Sequence, residues 1–166
     1  MKALRMGAAL TAAAFAAPAP LASALLCTPL IGCVCSVSAA PIDFGPIQPL
    51  SGSSASAVGE VTISCTGVLD VAPNVVVKLG AGQSGAISNR TLRASGGDAM
   101  AYNLYTTAAH AIIWGDGATG ASVTVSGGIL SLGSWQASRA VYGLATYAPA
   151  TKPGVYSDSV VVRIDW

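Results

Sequence analysis

The chain has 166 residues, of which 9% are charged and 52% hydrophobic, with 19 glycines and a formal net charge of +1. That length fits one domain able to bury a real core. The scarcity of basic residues excludes nucleic acid and anionic membrane surfaces as partners, since both need a basic patch.

The first stretch, MKALRMGAALTAAAFAAPAPLASA, sets Lys2 and Arg5 ahead of an alanine-rich apolar run, then prolines, then Ala22-Ser23-Ala24. This layout predicts a secretory signal peptide over residues 1–24 with an A-x-A cleavage motif, or cleavage a few residues earlier among the prolines. The apolar run is shorter than the ~20 residues a membrane-crossing helix needs, and no later run is longer, so no membrane-spanning segment is expected. Removing the leader takes two of the eight basic residues and no acidic one, leaving a mature chain of about 142 residues with a net charge of about −1.

Next comes LLCTPLIGCV, residues 25–34, and four cysteines follow the leader: Cys27, Cys33, Cys35 and Cys65. In an exported chain, disulfides are the expected use. Four cysteines allow three complete pairings, which spacing alone leaves open. The VTISC stretch puts Cys65 on the same face as Val61 and Ile63, so a partner on a neighbouring strand is expected, with Cys35 preferred. Cys33-x-Cys35, one distant cysteine and one histidine make a poor zinc ligand set, and no metal is expected. LIGC ending at Cys33 has the form of a lipobox but lies well beyond the apolar core of the leader.

No helical periodicity of useful length follows residue 25. Short alternating or β-branched runs recur instead: GEVTISC, NVVVKL, MAYNLYT, AIIW, ASVTVS, SRAVYGLATY and YSDSVVVRIDW. They are separated by the turn-forming clusters GAGQSG, SGGD, GDGATG and KPG. Regular short strands with such punctuation predict an all-β sandwich without a second domain. In the last run Val160, Val162, Ile164 and Trp166 share one face, and Ser159, Val161, Arg163 and Asp165 the other.

Candidate chemistry is thin. His110, Asp116 and the many serines do not make an acyl-transfer triad: no G-x-S-x-G elbow exists, AGQSGA is the nearest approach, and no strand-to-helix turn is available to hold one. GDGATG at Gly115–Gly120 matches G-x-G-x-x-G, but the strand-like ASVTVS follows where a phosphate site needs a helix, so a hairpin turn is expected. NRT at Asn89 is a glycosylation sequon only in a eukaryotic secretory route. Asp70, Asp98, Asp116 and Asp158 sit near turns, where short-range hydrogen bonds favour aspartate. The acids are scattered too singly for a calcium loop or a glycosidase pair. Neither catalysis nor a cofactor is expected.

CSVSAAPIDFG (Cys35 to Gly45), VTISCTG (Val61 to Gly67), RTL (Arg90 to Leu92), YNLYTTAAHAIIWGDG (Tyr102 to Gly117), VYG (Val141 to Gly143) and KPGVYSDSVVVRI (Lys152 to Ile164) span almost the whole mature chain in one order. In these stretches the chain resembles the spore coat protein U domain, which is shared by subunits of archaic chaperone-usher pili. The resemblance implies an incomplete immunoglobulin-like β-sandwich over residues 35–166, completed by a strand donated from another chain. It implies that the last strand, with Val160, Val162, Ile164 and Trp166, lines the acceptor groove. Cys35 and Cys65 match the family's usual disulfide pair. The implied partners are a periplasmic pilus chaperone, an outer-membrane usher and neighbouring pilus subunits, with the protein periplasmic during assembly and then at the cell surface or in a fimbrium.

Residues 25–34 are the possible N-terminal donor segment. One face carries Leu26, Thr28, Leu30, Gly32 and Val34, and the other Leu25, Cys27, Pro29, Ile31 and Cys33. The first face keeps the thiols out of a neighbour's core, so Leu26, Leu30 and Val34 are the expected donor residues. The segment is short for the family, and Pro29 and Gly32 weaken it as a strand. The expected function is therefore a secreted structural subunit of a surface fibre serving adhesion or biofilm formation. The alternatives are an accept-only terminal or spore-coat-like surface protein and, from another class, a small carbohydrate-binding module using Trp114, Trp135 and Trp166.

Overall fold

The computed structural model describes residues 4–11, 34–50, 53–70, 74–126 and 131–165. Among them eleven strands form: β1 (Leu4–Thr11), β2 (Val34–Ala39), β3 (Ile42–Ile47), β4 (Ser54–Asp70), β5 (Asn74–Leu79), β6 (Arg90–Ala94), β7 (Ala99–Tyr105), β8 (Val123–Ser126), β9 (Ser131–Thr146), β10 (Val155–Ser157) and β11 (Ser159–Asp165). Two short 3-10 turns, Gly82–Ser84 and Ile87–Asn89, lie between β5 and β6. The ladders run β2-β4-β9-β7-β6-β10-β1-β11-β5-β8, with β3 paired to β1 off that path, and the inner faces enclose one core.

The longest pairing is the antiparallel β4–β9 ribbon, running from Ser54 opposite Thr146 to Asp70 opposite Ser131 with a register shift between Thr66 and Val68. Alternation puts Val61, Ile63 and Cys65 inside, all buried. Where the ribbon crosses β3 its inward residues shrink to glycine. A Cβ on Gly59 would lie 2.5 Å from Ile42 Cγ1, and one on Gly143 would lie 2.8 Å from Phe44 Cζ. These two positions let β3 lie flat on the ribbon and seat Ile42 and Phe44 in the core.

β2 pairs antiparallel with β4 and sets Cys35 opposite Cys65. The two are joined by a disulfide with a Cα–Cα distance of 4.1 Å, closing a separation of 30 residues. The chain-entropy estimate for a loop of that size is ~3–4 kcal/mol. We expect a Cys35→Ser/Cys65→Ser variant to lose about that much in urea denaturation, with non-reduced peptide mapping of the wild type recovering the Cys35–Cys65 cross-link.

The run read as YSDSVVVRIDW is two strands, broken at Asp158, because that residue turns its carboxylate into the core and takes no part in a ladder. AIIW forms no strand. Ile113 and Trp114 make only isolated bridges, to Tyr105 and Ala121. β2, β3 and β6 were not among the runs read from alternation. β3 carries Gly45 at φ +66 and Pro46, which interrupt the pattern that marks a strand.

Candidate functional site: a strand-filled groove

β3 and β10–β11 border a slot filled by β1. β1 runs antiparallel to β3, with Leu4 opposite Ile47 and Ala8 opposite Ile42. It runs parallel to β10, with Met6 opposite Tyr156, and parallel to β11, with Leu10 opposite Val160. Among the described residues β3 has no other ladder. The residues opposite β1 include buried Ile42, Ile47, Tyr156 and Val160, with buried Phe44 and Val162 on the same two walls.

Of the residues expected to line a groove, Val160 and Val162 are buried and Ile164 is half-buried against the core, while Ser159, Val161, Arg163 and Asp165 face solvent. Trp166 lies outside the described residues, as do Leu26, Leu30, Cys27 and Cys33 and the expected cleavage site at Ala22–Ala24. Val34 opens β2 opposite Thr66 and is 62% exposed.

Two buried polar clusters hold the wall formed by β10 and β11. At the break between them, Asp158 is fully buried. Its Oδ2 accepts from the Tyr102 hydroxyl at 2.6 Å, and its Oδ1 from the backbone N–H groups of Gln83 and Ser159, each at 2.8 Å. Gly82, at φ +69, lies against this carboxylate so closely that a Cβ would collide with it. Burial, then the hydrogen bond to Asp158 and its charge, push the Tyr102 phenol far above its ordinary value.

The second cluster surrounds Arg90, fully buried. Its guanidinium donates to the carbonyls of Gly80 (2.7 and 2.9 Å), Leu79 (3.3 Å) and Trp114 (2.9 Å), and to Asn103 Oδ1 (2.6 Å). Asn103 Nδ2 in turn donates to the Ile87 and Ser88 carbonyls. Burial draws the Arg90 pKa down, against the pull of Tyr102 and Asp158. Gly80 then passes the order on, its N–H donating to the Val161 carbonyl at 2.9 Å.

The raised Tyr102 pKa sets a pH dependence. The unfolded phenol ionises near pH 10 while the folded one stays protonated, so the folded state binds more protons above that pH and stability falls as pH rises. We expect a loss of about 1.4 kcal/mol per unit above about pH 10 from this group. Tyr102→Phe should be less stable at pH 7, with Asp158 losing a donor, but should lack that part of the alkaline slope. Equilibrium urea unfolding from pH 8 to 11.5 measures both.

His110 adopts φ +51, its N–H donates to the Thr107 carbonyl, and its ring meets Tyr105 edge-on at 5.1 Å. Asp116 instead fastens its own turn, Oδ1 accepting from the N–H groups of Ala118 and Thr119, which lower its pKa. No bond joins His110 to Asp116 among the described residues. Asp98 pairs with Lys152 at 2.8 Å. Trp114 is buried with Nε1 donating to the Val77 carbonyl, so it cannot form part of an exposed sugar platform. Among the described residues no helix is long and apolar enough to cross a membrane.

β1 thus lies between β3 on one side and β10 and β11 on the other within an all-β sandwich. The chain belongs to the Spore Coat Protein U domain family, whose family model matches residues 21–163. Among solved structures it is similar to a chain of the CsuC–CsuE chaperone–tip adhesion subunit pre-assembly complex from archaic chaperone-usher Csu pili of Acinetobacter baumannii. The identity there is 19% over 81% of this chain and 40% of that one, with a TM-score of 0.48. It is also similar to a chain of a chaperone–tip adhesin complex of CFA/I fimbriae, with 14% identity over 70% of this chain and 36% of that one and a TM-score of 0.43. The chain thus spans less than half the length of the solved chains it matches. No curated protein matches it by sequence.

Proposed function

We propose that this protein is a secreted, non-enzymatic subunit of a surface fibre, assembled by donor-strand complementation along a chaperone-usher route and serving adhesion or biofilm formation. The observation that carries the reading is the slot itself: among the described residues β3 is paired only through the strand inserted beside β10 and β11. A strand from outside would supply the same main-chain hydrogen bonds to β3, β10 and β11, with its alternate side chains directed to the core. An open apolar edge invites aggregation, so a periplasmic chaperone covering it before transfer to an outer-membrane usher is the physically consistent partner. Membership of the Spore Coat Protein U domain family supports the same reading.

The donor in this reading is residues 25–34, through Leu26 and Leu30, with Val34 at its junction with β2. Burying an aliphatic side chain contributes ~1.5–3 kcal/mol, so Gly32 leaves one pocket without that gain. Co-expression with a periplasmic chaperone and an outer-membrane usher of an archaic chaperone-usher system tests the proposal. The chaperone should co-purify with the exported chain, and the fibre should give a heat-resistant ladder on gels. Deleting Leu25–Gly32 should abolish the ladder while chaperone capture persists. An unchanged ladder would show that another segment donates, and absence of capture would sink the fibre-subunit reading.

A further inference from the structure

We infer that Leu4–Thr11 is an intramolecular placeholder strand: a chain that keeps its leader closes its own groove and is shut to other strands until the leader is removed. The inference rests on the strand-accepting reading of that groove.

Three observations carry it. The segment LRMGAALT has a strand's period, with Leu4, Met6, Ala8 and Leu10 alternating with Arg5, Gly7, Ala9 and Thr11. A secretory leader needs only an apolar run and gains nothing from this alternation. The register then matches that pattern to both walls. Leu4, Ala8, Met6 and Leu10 stand opposite Ile47, Ile42, Tyr156 and Val160, which are all buried. Arg5 stands opposite Pro46 and Val155, Ala9 opposite Ser159 and Thr11 opposite Val161, which are all exposed. Against β3 the register shifts between Met6, opposite half-buried Gly45, and Ala8; against β10 and β11 it is unbroken, and there a slip of one residue would reverse every pairing. Lastly, the segment reaches along the whole of one edge of β3 and from Val155 to Val161 on the other wall, so the β3 edge that faces the slot is taken from end to end.

Because the strand is tethered, it competes at an effective concentration on the order of millimolar for short linkers. An outside strand must displace it or wait for hydrolysis, in which water adds across the peptide bond at the cleavage site and leaves a carboxylate on the leader and an amine on the mature chain. The leader would thereby couple groove opening to export.

The test compares three full-length chains, produced without export and refolded under oxidising conditions so that the leader remains. They are the wild type, Met6→Asp/Leu10→Asp, and the opposite-face control Arg5→Asp/Ala9→Asp. Hydrogen exchange is read at the β3 amides, and binding of a fluorescent LRMGAALT peptide is measured alongside. We expect protected β3 amides and no peptide uptake in the wild type and in the control. Met6→Asp/Leu10→Asp should show at least tenfold faster exchange and saturable uptake of the peptide. Equal exchange in all three chains would overturn the placeholder. Equally fast exchange in both double variants would also overturn it, since the effect would then not follow the register. Capture of the exported, leaderless chain by its chaperone is scored separately. Its failure counts against the proposed function, and its success beside equal exchange counts against the placeholder alone.

Discussion

Val162→Asp abolishes chaperone capture and fibre assembly, while Val161→Asp on the same strand leaves both intact: this is the expected pair of results if β11 is the wall of an acceptor groove. The two positions differ only by the strand's alternation. Val162 is fully buried and pairs with Leu79, whereas Val161 is 48% exposed. A carboxylate at Val162 has no partner, and leaving a charge unpaired in the core costs several kcal/mol beyond the ~1.5–3 kcal/mol of lost apolar burial. That is enough to unfold a domain with ordinary stability of ~5–15 kcal/mol. Val162→Ala separates folding from binding. It should fold, lose roughly 1–3 kcal/mol, and still be captured with weakened retention, read as faster release of a donor peptide. Normal assembly of Val162→Asp would remove β11 from the acceptor site.

The inward face of β11 was legible in the sequence because β-branched alternation over Val160, Val162 and Ile164 has one physical solution. The partner of Cys65 was approachable for the same reason, since Cys65 shares the parity of Val61 and Ile63. What alternation could not reveal is how the wall is held. Asp158 was read as one of the turn aspartates and Arg90 was given no face; each shares the parity of buried neighbours, Tyr156 and Val160 for Asp158 and Leu92 for Arg90, yet aspartate beside a turn and arginine in a short strand are ordinarily solvated. Their burial is acceptable only because the acceptors and donors that satisfy them come from far along the chain: Asn103 and Trp114 for Arg90, Tyr102 and Gln83 for Asp158. Pairings across such separations leave no local periodic signal. β3 was hidden for a different reason: Gly45 and Pro46 break its pattern, and its strand character depends on what is inserted beside it. Periodicity within β1 was present but masked by the stronger resemblance of that region to a secretory leader.

Arg90→Met should be the most damaging single change outside the groove, and its damage should appear in the groove. The guanidinium satisfies the carbonyls of Leu79, Gly80 and Trp114 and Asn103 Oδ1 at once. Methionine of similar length fills the space but leaves these acceptors buried without a donor, at ~1–3 kcal/mol each and not additively. A total loss of at least ~4 kcal/mol is expected, in line with removing one member of a buried charged network. Arg90→Lys should recover little, because a single ammonium cannot span acceptors on three segments as a planar fork does. Exposed Arg93, three residues along the same strand and so on its other face, supplies the control: Arg93→Met should stay within about 0.5 kcal/mol. The route to the groove is short. Arg90 holds Leu79 and Gly80, Leu79 pairs with Val162, and the Gly80 N–H holds the Val161 carbonyl. Hydrogen exchange in Arg90→Met should therefore accelerate first at Leu79–Gly80 and along β11, ahead of the β4–β9 ribbon. Uniform acceleration across all the ladders would mean that Arg90 supports the core at large, and an Arg90→Met protein within about 1 kcal/mol of wild type would show that the cluster does not hold the wall.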